Sequence, residues 1–215
     1  MPLKPRYWVV LLGMLMVLGL APLLATVRME GRDAGIAGML LPLFAVWAAT
    51  DSRRELIIAS LLGLASLVIN AWATGHPDTG PTPIATGTAL VFAAFTTFVL
   101  LRGVLRSRTI TGDVLAGAMA AYLMLGFAWA LVHVLAVQVG GGEYSVPLIR
   151  PSGDADFKTA IYFSFITLMT IGFGDITPVS PWSRALTILE GFTGFVFGTV
   201  VLAALVAAHL HQRNR

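Results

Sequence analysis

There is no cysteine in this 215-residue chain, which removes disulfides, thiolate metal ligands and a thiol nucleophile together. Charge is almost as scarce. Only 12% of the residues are Asp, Glu, Lys or Arg, while 57% are hydrophobic and the mean hydropathy is +0.83. That balance belongs to integral membrane proteins and lies far outside the soluble range. The formal net charge of +3 does not mark a nucleic-acid partner, because the basic residues sit in short clusters between apolar runs and form no continuous stripe. A phosphate-binding loop is missing, as is a glycine elbow around Ser164 or Ser183. His76, His133, His209 and His211 are scattered, without metal-ligand spacing. No enzyme class, organic cofactor or zinc site is therefore expected, and no repeat at solenoid periods is visible.

What the chain has is apolar length. Apolar segments cover Tyr7–Val27, Ala34–Thr50, Glu55–Thr74, Pro83–Leu101, Val114–Val139 and Ser183–Leu210, each near or above the roughly 17 to 25 residues of a spanning helix. The first is too long for a signal peptide and lacks its small-residue cleavage site, so it reads as an anchor. A further run, Phe157–Met169, rises about 1.5 Å per residue and falls short of a hydrocarbon core of roughly 30 Å, so it must be re-entrant or peripheral. Lys4 with Arg6, Arg53 with Arg54, Arg102 with Arg106 and Arg108, and Arg213 with Arg215 fall on alternate connections. The other connections are poorer. The loop with His76 and Asp78 has no Lys or Arg, and Arg28, Arg32, Arg150 and Lys158 are interspersed with acids. The positive-inside rule then gives six crossings with both termini cytoplasmic, and the short run enters from outside. The expected fold class is an all-α membrane protein.

Directly after the short run stands Thr-Ile-Gly-Phe-Gly-Asp, Thr170–Asp175. Glycine reaches positive φ without steric penalty, so Gly172 and Gly174, alternating with Ile171 and Phe173, let successive carbonyls point the same way and face a cation. Lipid offers no hydrogen bonds, so non-helical backbone at membrane depth must be buried in protein or line a watery cavity. By itself the motif is short enough to be a simple turn. Against that stand the threonine two residues before the first glycine, the apolar half-helix ahead of it, and the full spanning helix after "ITPVSPWSR". This order resembles the pore module of the tetrameric potassium-channel family, over about Val114 to Leu210. The resemblance implies that the carbonyls of Thr170, Ile171, Gly172 and Phe173, with the Thr170 hydroxyl, replace the hydration shell of K⁺ in a selectivity filter completed by Gly174 and Asp175. Asp175 would stand at the outer mouth. Four chains around one axis are implied too, since each carries one such loop. Phe173 replaces the usual tyrosine and Met169 a common second threonine, departures that bear on the rigidity of the filter.

The last helix contains "LEGFTGFVFGTVV", with Gly191, Gly194 and Gly198. Small residues at such spacing serve close helix packing in membranes; the resemblance adds that Gly194 falls where the family's inner helix bends, which makes it a candidate gating hinge. Glu190 is an ionisable group inside a span, and such a group needs a partner or a function. In the family pattern Phe195 faces the cavity, and Glu190 lies about 140° around the helix from it, behind the filter. There the Tyr162 or Thr167 hydroxyl is a candidate partner, and a protonated carboxyl that merely packs is the alternative.

Six crossings with a pore between the last two is also the layout of voltage-gated channels, but the charges disagree. Stepping back from Arg102 by threes meets Val99, Thr96, Ala93 and Leu90, where a sensor carries Arg or Lys. Arg102 and Arg106 are expected to snorkel to the inner headgroups, with Asp51 and Glu55 as partners. The chain thus divides into a four-helix membrane domain, residues 1–112, of sensor-like position but without a sensor's charges, and a pore domain, residues 113–215. Only five residues follow Leu210, so no fused ligand-binding domain is expected. The implied function is a K⁺-selective channel in a homotetramer within the cell membrane, K⁺ being the permeant ion. A weakly selective monovalent cation channel is the runner-up. A transporter subunit ranks lower, since common transporters show paired broken helices in two related halves.

Overall fold

The computed structural model describes residues 6–25, 45–47, 52–75, 83–107, 109–149 and 156–213. The named elements among them are all helices: α1 (Arg6–Ala25), α2 (Arg53–Gly75), α3 (Pro83–Leu105), α4 (Gly112–Gln138), α5 (Phe157–Leu168) and α6 (Pro181–Val196). A π-helical stretch, Phe197–Leu202, then leads into α7 (Ala203–Arg213). Among the described residues, four stretches are long and apolar enough to cross a membrane: Arg53–Ala73, Pro83–Leu105, Gly112–Gln138 and Pro181–Ala208. The expected first crossing corresponds to α1, whose apolar part Tyr7–Gly19 is shorter. The second, Ala34–Thr50, lies outside the described residues except for 45–47, which are helical. The re-entrant run is the 12-residue α5.

Helix α4 is the central post. Ala116, Ala118, Ala120, Ala121, Ala128 and Ala130 are all buried along it, because small side chains let neighbouring helices approach closely where lipid provides no hydrophobic drive for association. Val10, Leu11 and Met14 of α1 and Ala93 and Leu100 of α3 pack into one core with Ala116, Ala120, Ala121 and Ala128. Capping fixes the ends. Asp113 Oδ1, in the first turn of α4, accepts the backbone N–H groups of Tyr7 and Trp8 at 3.1 Å each, giving an acceptor to two of the donors that the start of α1 leaves without an intrahelical partner. Arg102 Nη1, late in α3, meets Glu55 Oε1 in the first turn of α2 at 2.9 Å. Glu55 is thus the partner expected for the arginine cluster, while Asp51 lies outside the described residues. These contacts gather the starts of α1, α2 and α4 and the end of α3 at one end of the bundle.

Helix α5 starts at Asp156, whose carboxylate accepts the Thr159 N–H at 3.4 Å and the Thr159 hydroxyl at 2.9 Å. Its Ala160 and Phe163 pack with Ala130 and Val134 of α4 and with Tyr144, Leu148 and Ile176 of the flanking loops. Helix α6 opens on Ser180, which caps the Ser183 N–H at 3.1 Å, with Pro181 in the first turn, a position where a missing N–H costs nothing. The inner run expected over Ser183–Leu210 is thus helical throughout but not uniformly α, since the π stretch widens one turn just beyond Gly194.

Candidate functional site

The end of α5 passes directly into the loop through its own unpaired carbonyls. Thr170 donates to Thr167 O at 2.9 Å, Ile171 to Ile166 O at 2.8 Å and Gly172 to the same oxygen at 3.1 Å. Beyond this turn the backbone alternates. Thr170, Gly172 and Gly174 have φ of +58°, +57° and +81°, and Ile171 and Phe173 do not share that sign. In an extended strand successive carbonyls point to opposite sides; alternating the handedness of successive residues undoes this and turns them one way. Thr170 is the one non-glycine residue with positive φ among the described residues. For a β-branched side chain this costs about 1–2 kcal/mol, strain that persists only where the surroundings impose it. The side chains of Ile171 and Phe173 stand 50% and 71% exposed on a single chain.

The descending limb is fastened to the segment after α4. Thr177 donates to Ser145 Oγ at 2.9 Å and accepts the Ser145 N–H at 2.9 Å, and Val179 donates to Glu143 O at 2.8 Å. Ser180 and Ser183 hydroxyls reach Gly141 O and Glu143 O at 2.8 Å each. The Tyr162 hydroxyl donates to Asp175 Oδ2 at 2.8 Å, a direct tie between α5 and the last residue of the motif. Thr167 lines a recess with Thr170, Gly172, Gly174 and Thr187 of α6.

Behind the loop lies a fully buried polar row. His133 Nε2 is 2.8 Å from Glu190 Oε2, and His133 Nδ1 is 2.6 Å from the Tyr144 hydroxyl. Ser164 Oγ is 2.5 Å from Glu190 Oε1 and 2.7 Å from the Gly126 carbonyl. His133, Ser164 and Glu190 are each 0% exposed. Burial raises the Tyr144 hydroxyl above the ordinary phenol range, so it stays a proton donor. Glu190 therefore does have partners, but they are His133 and Ser164. The expected hydroxyls of Tyr162 and Thr167 face the loop side of α5 instead. The correction has a simple physical cause: Ser164 is on the buried side of α5, whereas Tyr162 is 39% exposed.

The C-terminal end of α5 is gripped from two sides. Tyr122 of α4 donates to Leu168 O at 2.9 Å, and Gly194 of α6 lies directly against the same carbonyl, where a Cβ would come within 2.9 Å of the Leu168 carbonyl carbon. The hinge candidate is thus also a close packing contact. Next to it Trp129 Nε1 donates to Thr193 Oγ1 at 3.0 Å.

Sequence reasoning missed Tyr122, Tyr144, Ser164 and His133 as site residues. His133 was readable only as a metal ligand, and Ser164 only as a nucleophile. The available signal was polarity at membrane depth, the same one that singled out Glu190. Among the described residues no group of three or more His, Asp or Glu is placed to hold a metal ion.

Comparison with known proteins places the similarity on this part of the chain. Residues 114–209 match the family described as "Ion channel". "Two-pore potassium channel 2" of Arabidopsis thaliana is 33% identical over 100 residues, 46% of this chain and 20% of that protein. "Two pore potassium channel c" of Oryza sativa subsp. japonica is 34% identical over 87 residues, 40% of this chain and 17% of that protein. "Two-pore potassium channel 5" of Arabidopsis thaliana is 38% identical over 47 residues, 22% of this chain and 12% of that protein. The chain thus spans no more than 20% of the length of these relatives. No solved structure matches. The part of the chain from α4 to α7, which carries the loop and the polar row behind it, is similar to the ion-channel family and to plant proteins named as potassium channels.

Proposed function

We propose that residues 113–215 form one quarter of a pore that passes K⁺ passively across the cell membrane, and that residues 1–112 form a peripheral four-helix domain around it. The observation that carries this reading is the alternation of positive φ at Thr170, Gly172 and Gly174 after a helix too short to span. That backbone offers the carbonyls of Thr170, Ile171, Gly172 and Phe173, with the Thr170 hydroxyl, as a column of oxygens that substitutes for the hydration shell of the ion. The carbonyl end of α5 lies beside it, and the partial negative charge at a helix C-terminus favours a cation there. Gly174 and Asp175 close the filter at its outer mouth, with Tyr162, Thr167 and Glu190 as its support and Gly194 as the hinge above the widened π turn. The ion is cargo, and no organic cofactor is needed.

The loop itself supports a homotetramer. It is irregular backbone, exposed on one chain, and lipid cannot satisfy it; three further copies around a shared axis would cover it and complete the ring of carbonyls. Six crossings with cytoplasmic termini gain support from the gathered helix ends. Helix α1 leaves the end marked by Asp113 and α2 starts again at that end beside Arg102, which agrees with a return crossing at Ala34–Thr50. The names of the plant relatives specify potassium, which supports K⁺ as the cargo over a weakly selective cation pore. The weakly selective reading draws on Phe173, which has no hydroxyl to brace the filter. The reversal potential of the reconstituted protein between K⁺ and Na⁺ solutions separates the two.

A further inference from the structure

Five groups behind the loop touch in series: the Tyr144 hydroxyl, the two nitrogens of His133, the two oxygens of Glu190, the Ser164 hydroxyl and the Gly126 carbonyl. The four contacts between them measure 2.6, 2.8, 2.5 and 2.7 Å, so each must contain one hydrogen. The Gly126 carbonyl can only accept, which commits the single Ser164 proton to it. Ser164 must then accept from Glu190, so Glu190 Oε1 carries a proton. Glu190 Oε2 accepts from His133 Nε2–H, and His133 Nδ1 accepts from the Tyr144 hydroxyl. Four protons fill four contacts in one direction, and no group bears a charge.

The ion-pair alternative uses the same four protons less well. With His133 doubly protonated and Glu190 ionised, Nδ1–H points at the Tyr144 oxygen and the Tyr144 proton loses its place in the series. Ser164 has one proton for two acceptors, and one of them is left facing a lone pair. Two buried charges would also be desolvated among Phe163, Tyr144 and the alanines of α4, where the uncharged arrangement avoids that cost.

We infer that Tyr144, His133, Glu190 and Ser164 are positioning residues for the filter, joined in a single uncharged hydrogen-bond chain in which Glu190 holds the proton. The inference rests on the reading of Thr170–Asp175 as a filter. Ser164 lies on α5, His133 on α4, Glu190 on α6 and Tyr144 on the outer loop, so the chain ties the filter-bearing helix to every element around it. It touches no ion. It acts by fixing where α5, and with it Thr170, stands relative to the pore axis.

Glu190→Gln is the discriminating substitution. Its amide N–H donates to Ser164 and its carbonyl accepts from His133, which reproduces the uncharged chain but not an ion pair. Ser164→Ala removes the link to α5. In liposomes, the E190Q channel is expected to keep the parent's K⁺ over Na⁺ preference within about twofold, and S164A to lose roughly tenfold or more of it, the scale of an unpaired buried polar group. Infrared difference spectra of parent against E190Q should contain a protonated-carboxyl C=O stretch that the variant lacks. A carboxylate band in its place, or an E190Q channel as impaired as S164A, overturns the uncharged chain. S164A with the parent's selectivity overturns the positioning role. If S164A does not assemble, E190Q and the spectrum still decide the protonation. A parent protein with no K⁺-selective flux would refute the filter reading itself, and the spectrum would stand apart from that failure.

Discussion

Gly194 and Leu168 meet backbone to backbone: α6 reaches the end of α5 at a glycine, where no side chain intervenes. A methyl group there collides with the Leu168 carbonyl, which also accepts the Tyr122 hydroxyl. Gly194→Ala should therefore cost about 1–3 kcal/mol by overpacking and displace the helix that carries the loop. Gly191→Ala, which meets nothing within 4 Å in its own chain, is the control. Thermal unfolding in detergent should show a lowered midpoint for the first and little change for the second. Equal midpoints would contradict the contact.

The filter reading is most exposed at Gly172. With φ at +57°, an alanine there pays about 1–2 kcal/mol to keep the left-handed backbone, and flipping out of it turns one carbonyl away. Gly172→Ala should abolish selective K⁺ flux into liposomes while the protein still inserts. Parental flux and selectivity in this variant would mean that the loop does not form the conduction path.

Tyr162 is tied to Asp175, which on the proposed reading braces the outer mouth of the filter where Phe173 brings no hydroxyl of its own. The bond is exposed, so its loss in Tyr162→Phe should leave stability nearly unchanged. Its effect should appear instead in permeation, as a lowered K⁺ over Na⁺ permeability ratio, matched by Asp175→Ala, which removes the acceptor. Unchanged ratios in both variants would remove this brace from the account.

Voltage should act weakly. Moving one elementary charge across the whole membrane contributes about 2.3 kcal/mol per 100 mV, but Arg102 sits at the end of α3, paired with Glu55 at 2.9 Å, and Arg106 is exposed beside it. Neither has far to travel through the field. Current recorded from the parent and from Arg102→Gln should show the same shallow dependence on voltage. A steep curve that flattens in the variant would show that these charges move.

Topology can be read cleanly because the chain has no cysteine. Single cysteines replacing Ser107 and Gln212 should react with an impermeant maleimide only from the cytoplasmic side, and one replacing Val146 only from outside. Labelling of Ser107→Cys and Val146→Cys from one side would break the orientation.

The sequence disclosed the parts that depend on periodicity and composition. The spans at α2, α3 and α4, the short α5 and the Thr170–Asp175 loop could all be placed, because apolar run length and paired glycines are local properties. The partners of Glu190 could not. His133 is 57 residues away in the chain and Ser164 is 26 away, and their meeting depends on how α5 packs against Ala130 and Val134 of α4. Gly194 is a similar case. Its spacing marked a close contact, but only the packed helices identify Leu168 as the neighbour. The fastening of Ser145 and Glu143 to Thr177 and Val179 was equally hidden, since neither segment carries a periodic pattern.

The central claim is that four copies of the Thr170–Asp175 loop select K⁺. The reversal potential of the purified protein in a planar bilayer, with K⁺ on one side and Na⁺ on the other, tests it most directly. The account predicts a potential far from zero with the sign set by the K⁺ gradient, lost in Gly172→Ala. A current that reverses near zero in the parent protein would contradict it.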